Sequence, residues 1–268
     1  MENRFRVATF NANSLRSRLE ITTGWLRKHE PDALCIQETR VMDDAFPVAA
    51  FEEIGYHPVF LGQKSFNGVA ILCRTEPEDV TTGLGVEGLD NEARIIRAKV
   101  RGVEVVNTYV PQGTAVESPR FEYKLNWISA LKDYFDRNFT PSTPLVWVGD
   151  FNVAPEPIDV HDPEKLLGSV CFHPKEHEVL SQVKQWGFVD VFRKHHPGEP
   201  DQYSFYDYRI PNALKRKLGW RIDHIWATAP LADTSSDCWI DLEPRSMEKP
   251  SDHTFVVADF QLDVTARS

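Results

Sequence analysis

Asp150 and Asn152 stand two residues apart just after the apolar run Leu145, Val146, Trp147, Val148, in the stretch "LVWVGDFNVAPEPIDV". In an extended segment residues i and i+2 project to one face, so this strand end offers a carboxylate and a carboxamide together, while Phe151 points to the core. An Asx-type turn that closes a strand would explain the pair taken alone. The pattern recurs, however. "RVATFNANS" ends in Asn11 and Asn13, "PDALCIQETR" in Gln37 and Glu38, and "VVNTYVPQG" in Asn107, Tyr109 and Gln112. "WRIDHIWAT" carries Asp223 inside an alternating strand, where an unpaired carboxylate is costly, and "KPSDHTFVVADF" sets Asp252 and His253 directly before one. Each has an ordinary explanation by itself: a turn, a helix cap, a solvated strand end, a partner for Arg221, a half-buried sheet tyrosine. Six strand ends finishing in carboxylate, amide, imidazole or phenol point together to one site on one side of a sheet.

Hard oxygen ligands without a Cys/His set suit Mg²⁺ rather than zinc. Glu38 and Asp252 are the carboxylates that would supply it. Asp223 orienting His253 gives a fixed donor to a phosphate oxygen. Asp150 is placed to accept a proton from an attacking water. The chemistry expected is metal-assisted hydrolysis of a phosphate ester. A zinc site from Cys171, His173 and His177 in "CFHPKEH", with His161 upstream, is a competing reading. Its spacing is irregular and suits an ordinary surface loop better.

These residues need a scaffold of strands. Strand-like runs fall at 5–10, 33–37, 56–61, 68–73, 94–100, 103–110, 145–149, 221–227, 237–241 and 254–260. Helical patterns fit 14–29, with Ser14 as N-cap and Pro31 closing it, 119–136, with Pro119 in the first turn, and 175–187. Strands outnumber helices and come in adjacent pairs, such as 94–100 with 103–110 across Arg101–Gly102. A mixed sheet, or two packed sheets with helices outside, follows from this order.

The 268 residues are 41% apolar, enough for a large core, with no apolar run of 18 or more. The opening Met1–Arg6 lacks the apolar stretch of a signal peptide, and no repeat or linker divides the chain. A single catalytic unit over 1–268 is expected. Cys35, Cys73, Cys171 and Cys238 are widely spaced and read as reduced, mostly buried thiols of a cytoplasmic protein. The net charge of −10 argues against a non-specific nucleic-acid coat protein. A local basic patch remains: "YRIPNALKRKLGWR" holds Arg209, Lys215, Arg216, Lys217 and Arg221 with no acid among them.

"FNANS", "IQETR", "YVPQG", "GDFNVAPEPIDV", "GWRIDHI" and "SDH" follow one another in that order from about residue 5 to 260. This series resembles that of the exonuclease III/AP endonuclease family within the endonuclease–exonuclease–phosphatase superfamily. "GDFN" is shared by the superfamily; the ordered set is highly specific. The resemblance implies a four-layered α/β sandwich of two packed mixed β-sheets flanked by helices, Mg²⁺ dependence (with Mn²⁺ as a substitute) and a role in base-excision repair. It makes Glu38 the chief metal ligand, with Asn11 and Asp252 nearby. Asp150 activates or positions the water, Asn152 orients the phosphate, Tyr109 steadies the phosphate or leaving oxygen, and Asp223 pairs with His253. Some relatives carry Asp at the position of Asn13 and Asn at that of Gln112; both residues here still offer a polar side chain to the phosphate. An Arg that some animal relatives carry after "YVP" has no counterpart in "GTAVE".

Substrate contacts are expected from 203–221. Phe205 and Trp220 would wall an apolar pocket for a sugar lacking its base, as the resemblance implies, and Tyr206 joins them or packs in the core. Lys215, Arg216 and Lys217 would meet the phosphate backbone. His173, after the "PEPIDV" loop, would border the DNA. The expected partner is duplex DNA with abasic sites, nicks or blocked 3′ ends, acted on by a monomer without a membrane; a bacterial or archaeal source would place it at the nucleoid. Two other classes compete. One is a different phosphodiesterase or phosphatase of the superfamily, against which the missing basic pocket for inositol phosphates and Tyr109 in place of a second histidine both count. The other is a non-catalytic DNA binder, which would have no reason to keep Glu38, Asp150 and Asp223 beside phosphates.

Overall fold

A computed structural model describes residues 3–262; the ends of the expected 1–268 unit, residues 1–2 and 263–268, lie outside the described residues. The strands are β1 (Arg4–Asn11), β2 (Ala33–Gln37), β3 (His57–Leu61), β4 (Val69–Cys73), β5 (Glu78–Thr82), β6 (Ile95–Val100), β7 (Val103–Tyr109), β8 (Leu145–Asp150), β9 (Phe188–Asp190), β10 (Asp223–Thr228), β11 (Ser235–Asp241) and β12 (Phe255–Gln261). The helices are α1 (Leu19–His29), α2 (Val48–Glu52), α3 (Pro119–Asn138), α4 (Pro163–Leu166), α5 (Pro174–Gln185), α6 (Val191–His195) and α7 (Ala229–Ala232).

The strands form two six-stranded sheets, ordered β11-β12-β1-β2-β4-β3 and β5-β6-β7-β8-β10-β9. Each is mixed: β1–β2 and β7–β8 run parallel among antiparallel neighbours. Side-chain alternation explains why the sheets stack. Val7, Cys35 and Ile71 of the first sheet meet Val105, Val146, Val148 and Ile225 of the second in one dry layer. On the outer face of the second sheet, Val106, Trp147 and Trp226 pack under Leu131 and Phe135 of α3 and Leu180 of α5. On the outer face of the first, Ala8, Phe10 and Ile36 pack under Trp25 and Leu26 of α1 and Phe51 of α2. The four-layered sandwich that the resemblance implies is the fold observed.

Ten of the twelve strands coincide with the apolar runs. β5 has no sequence signal because both its faces are exposed, so no alternation marks it, and β9 is three residues long. The first helix starts later than expected. Ser14 lies in the left-handed region at φ 87° and belongs to the turn after β1; a 3₁₀ turn at Arg16–Arg18 then leads into α1 at Leu19. α3 starts as read, with the Ser118 side chain accepting from the Phe121 N–H. The β6–β7 hairpin turns on Arg101 and Gly102, both at positive φ, the conformation a two-residue turn requires.

Candidate active site

The inner faces of the sheets turn polar at one end. Pairing fixes this: Asp150 lies opposite Tyr109 on one side and Asp223 on the other, so phenol and two carboxylates form one row across the second sheet. On the facing sheet Asn11 is paired with Gln37, and Glu38 follows directly. One layer deeper, the Gln37 amide donates to Thr9 Oγ1 at 2.9 Å and to Asn107 Oδ1 at 2.7 Å, a buried polar plug between the dry core and the site.

Gly149 shows why the apolar run of β8 breaks where it does. At φ 140° its backbone lies so near Thr108 that a Cβ would fall 1.9 Å from the Thr108 carbonyl oxygen. The chain then turns, and Asn152 adopts φ 50°; Glu38 at 48° and Asn13 at 43° do the same at their own strand ends. Asn tolerates this conformation, whereas for Glu38 it is uncommon and is held by surrounding contacts.

The enforcing contacts are on the site itself. The Asn11 amide donates to Glu38 Oε1 at 2.9 Å and to Asp150 Oδ2 at 2.8 Å, bridging the two sheets. Asp150 also accepts from the Asn152 N–H at 2.8 Å and the Asn152 amide at 3.2 Å. Asn13 donates its amide to Asp252 Oδ1 at 2.9 Å. His253 Nδ1 faces Asp223 Oδ2 at 2.9 Å, and its other nitrogen, Nε2, lies 3.8 Å from Asp150 Oδ2. Ser204 donates to Asp223 Oδ2 at 2.6 Å, and Ser251 to the Asn11 carbonyl at 2.8 Å. Asp223 is therefore the partner of His253, not of Arg221, which pairs with Asp159 and Asp190.

Burial raises the Asp150 carboxyl to about 7, with Asp223 adding to the rise and the His253 charge and the Asn11 amide opposing it. Burial acts to lower His253, but the Asp223 and Asp150 carboxylates outweigh it and hold the imidazole protonated, up to about 10. Burial, with Glu38 and Asp150 nearby, pushes the Tyr109 phenol well above its ordinary value, so it enters the site as a neutral donor. The Arg94 guanidinium lies 4.7 Å from the Tyr109 ring centroid and donates to its carbonyl at 3.0 Å, fixing the ring from behind.

A cleft of about 530 Å³ opens over this row. Its polar lining includes Asn13, Glu38, Tyr109, Gln112, Asp150, Asn152, Asp252 and His253, and its apolar wall is Phe205, Trp220, Ile222 and Val170. Asn11 and Asp223 sit just behind. Phe205 and Trp220 exchange backbone hydrogen bonds at 2.9 Å, and the Phe205 ring packs 4.8 Å from that of His253. Tyr206 is elsewhere: its ring packs with Tyr203 and Ala213, and only its N–H reaches the site, donating to the Asp252 carbonyl. Lys215, Arg216 and Lys217 are exposed, do not line the cleft, and include one cation paired with Asp201 at 2.9 Å. His173 caps α5, its Nδ1 accepting from the Lys175 N–H, and its ring meets the edge of Phe121 rather than the cleft.

Two other cations line the cleft, Arg209 from the same basic segment and Arg40 from the end of β2. Arg40 pairs with Glu38, and Arg209 with Asp207. Arg40 follows β2 in "IQETR", where Glu38 and Arg40 both hold left-handed backbone, so strand periodicity could not have signalled it. Cys171 lines the cleft for a reason the sequence does not carry: it sits at φ 73° on the loop entering α5.

The donor set fits a hard divalent cation. Glu38 and Asp252 present carboxylates to the cleft, beside amide oxygens. Asp150, Asp223 and His253 also bring possible ligand atoms within 4.8 Å of one another. Asp223 of that trio is already filled by His253 and Ser204; Glu38 and Asp252, both half-buried and lining the cleft, could hold a metal from its open side. The alternative zinc set does not assemble. Burial raises the Cys171 thiol to about 12, which keeps it protonated, while His177 and His161 are engaged with the carbonyls of Ala154 and Gly219.

The fold and this acid–imidazole row define a hydrolase of the sandwich type that cuts phosphate esters. The model of the endonuclease/exonuclease/phosphatase family matches residues 8–253, and the chain belongs to that family. It is 34% identical over 267 residues to exodeoxyribonuclease III of Haemophilus influenzae, covering 96% of this chain and 100% of that one. Among solved structures, an AP endonuclease from Archaeoglobus fulgidus is 50% identical with a TM-score of 0.93, over 96% of this chain and 99% of that one. A 3′ phosphatase from Neisseria, bound to a product DNA hairpin, is 39% identical with a TM-score of 0.92, over 96% and 99%. The chain is thus a hydrolytic nuclease of a divalent-metal-dependent DNA-repair group. No helix among the described residues is long and apolar enough to cross a membrane.

Proposed function

We propose that this nuclease hydrolyses phosphodiesters at abasic sites and at 3′ ends of duplex DNA, with Mg²⁺ as its cation. The observation that carries the reading is the position of Asp150. It lies at the centre of the row, touched by Asn11, Asn152 and His253, at the foot of a cleft with one polar and one apolar wall. Glu38 and Asp252, with Asn11 beside them, would hold the metal, which supplies Lewis-acid stabilisation of a phosphate oxygen. Asp150, lifted towards neutrality by burial, takes the proton of the attacking water. His253, held protonated by Asp223, donates to a non-bridging phosphate oxygen as charge develops there. The Asn152 amide orients the same phosphate. Tyr109, kept neutral, donates to the phosphate or the leaving oxygen.

The apolar wall of Phe205, Trp220 and Ile222 supports a sugar without its base as the preferred occupant. A normal nucleotide would have to unstack, at a cost of a few kcal/mol, to enter the same space. All the groups invoked come from one chain, which supports action as a monomer; four buried free thiols support a reducing compartment such as the cytoplasm. A time course on matched duplexes carrying an abasic site, a nick or a 3′-phosphate tests the proposal. Cleavage of all three is expected with Mg²⁺ and none with excess EDTA; full activity in chelator would remove the metal from the chemistry.

A further inference from the structure

Under the floor of the cleft lies an ion pair that this chemistry does not use. Lys124 of α3 and Glu176 of α5 meet at 2.5 Å with both side chains fully buried. An ammonium has three N–H groups. Lys124 spends one on Glu176, one on the Asn152 carbonyl at 2.6 Å and one on the Gln112 carbonyl at 3.1 Å. Glu176 is equally full: Oε1 accepts from the Cys171 N–H at 3.1 Å and Oε2 from the His173 N–H at 3.0 Å. Gln112, Asn152 and Cys171 sit on three separate loops, and all three line the cleft. Two of them, Asn152 and Cys171, hold left-handed backbone at φ 50° and 73°. The lysine stem passes so close to Gly113, at φ 100°, that a Cβ there would lie 3.2 Å from Lys124 Cδ.

A buried ion pair is weak support for stability, because apolar side chains of similar volume commonly do as well. Here the pair instead satisfies backbone groups on all three of these loops. We propose that Lys124 and Glu176 are positioning residues for phosphate hydrolysis. Through the Asn152 and Gln112 carbonyls they hold the Asn152 amide at the phosphate. This rests on the role given to Asn152 above, and the test separates the two.

The charge is best removed from both partners at once, as Lys124→Met with Glu176→Leu, since a single change strands the other charge. The milder Glu176→Gln keeps an acceptor for Lys124 and serves if the double variant does not fold. Each is measured by melting temperature and by kcat and KM on an abasic duplex with Mg²⁺, alone and combined with Asn152→Ala. The double variant should melt within a few degrees of wild type yet lose at least about tenfold in kcat, with KM within about twofold; Glu176→Gln should lose about threefold. In the Asn152→Ala background both losses should shrink below about twofold. Wild-type kcat in a folded double variant, or in Glu176→Gln if that alone folds, would overturn the proposal. So would losses that multiply undiminished with that of Asn152→Ala, because the pair would then act without passing through Asn152. Full activity of Asn152→Ala by itself would instead remove the role of Asn152 and with it the basis of the positioning.

Discussion

His253 and His224 are both buried imidazoles at the site end of the sandwich, and their neighbours move them in opposite directions. Burial acts to lower each. At His253 the carboxylates of Asp223 and Asp150 overcome it and raise the ring to about 10. At His224 the Arg221 cation adds to burial, and the ring falls to about 4 despite Asp190 and Asp159 nearby. His224 is therefore neutral, its Nδ1 accepting from Arg221 at 3.0 Å and its Nε2 donating to the Val153 carbonyl at 2.9 Å. Its network is balanced: Arg221 and Arg193 face Asp159 and Asp190, whose carboxyls lie below their ordinary value. The site row is not balanced. Glu38, Asp150, Asp223 and Asp252 face only Arg40 and His253 among the described close partners. A closed set of charges braces a loop; an excess of carboxylate beside a held imidazolium suits a divalent cation with an anionic substrate.

That contrast can be broken at four points. The largest effect is expected at Asp150. Asp150→Asn removes the base but also negative charge near the phosphate, so kcat should drop by about a thousandfold or more while DNA affinity holds or rises. Single-turnover cleavage with a parallel binding titration measures both; near wild-type turnover would remove Asp150 from its role. Next comes the bracing network. Arg221→Met leaves Asp190 without its guanidinium partner and Asp159 with Arg193 alone, and should cost about 3–5 kcal/mol in urea unfolding. A loss under about 1 kcal/mol would mean that the network bears little of the fold.

The third point is acid. His224 has its folded value depressed from 6.5 to about 4, so its contribution is complete above pH 6.5 and is lost as pH falls to 4. Over that window wild type should lose about 3 kcal/mol to this group. His224→Gln should show a shallower decline in unfolding free energy between pH 6.5 and 4, and equal slopes would contradict the neutral assignment. The smallest effect is expected from the exposed basic run. Replacing Lys215, Arg216 and Lys217 together by Ala should flatten the salt dependence of DNA binding by up to about 2.7 in log K against log salt, for every sequence alike. An unchanged slope would put the DNA on another face, with Arg40 and Arg209 at the cleft as the first cations to test.

Most of the site row was legible as residue types, because strand pairing turns a repeated sequence ending into a spatial row. Period two predicts Asp150 and Asn152 on one face; the structure brings them together instead through an Asx-type turn, with Asp150 accepting from the Asn152 N–H, and the recurrence of polar strand ends marked Asn11, Glu38, Tyr109 and Asp252 as well. What surrounds them was less legible. The aromatic–basic segment 203–221 reads as one substrate surface, yet it divides: Phe205 and Trp220 wall the cleft, Tyr206 packs in a small core, and Lys215 to Lys217 stand outside. An irregular loop has no period from which side-chain direction can be read. His173 likewise looks like a loop histidine near DNA, and the fold uses its imidazole as a helix cap.

The sequence by itself determined ten of the twelve described strands and the chemical identity of the donors, since these depend on local alternation and on side-chain type; alternation allowed one mixed sheet or two packed sheets, and the motif series pointed to the two-sheet sandwich. Only the tertiary structure decided who partners whom. Nothing local tells Asp223 to choose His253 over Arg221, or joins Lys124 to Glu176 across 52 positions. Those choices follow from sheet register and helix packing, which bring distant residues together. They also set the burial and neighbouring charge that raise one histidine to about 10 and lower another to about 4.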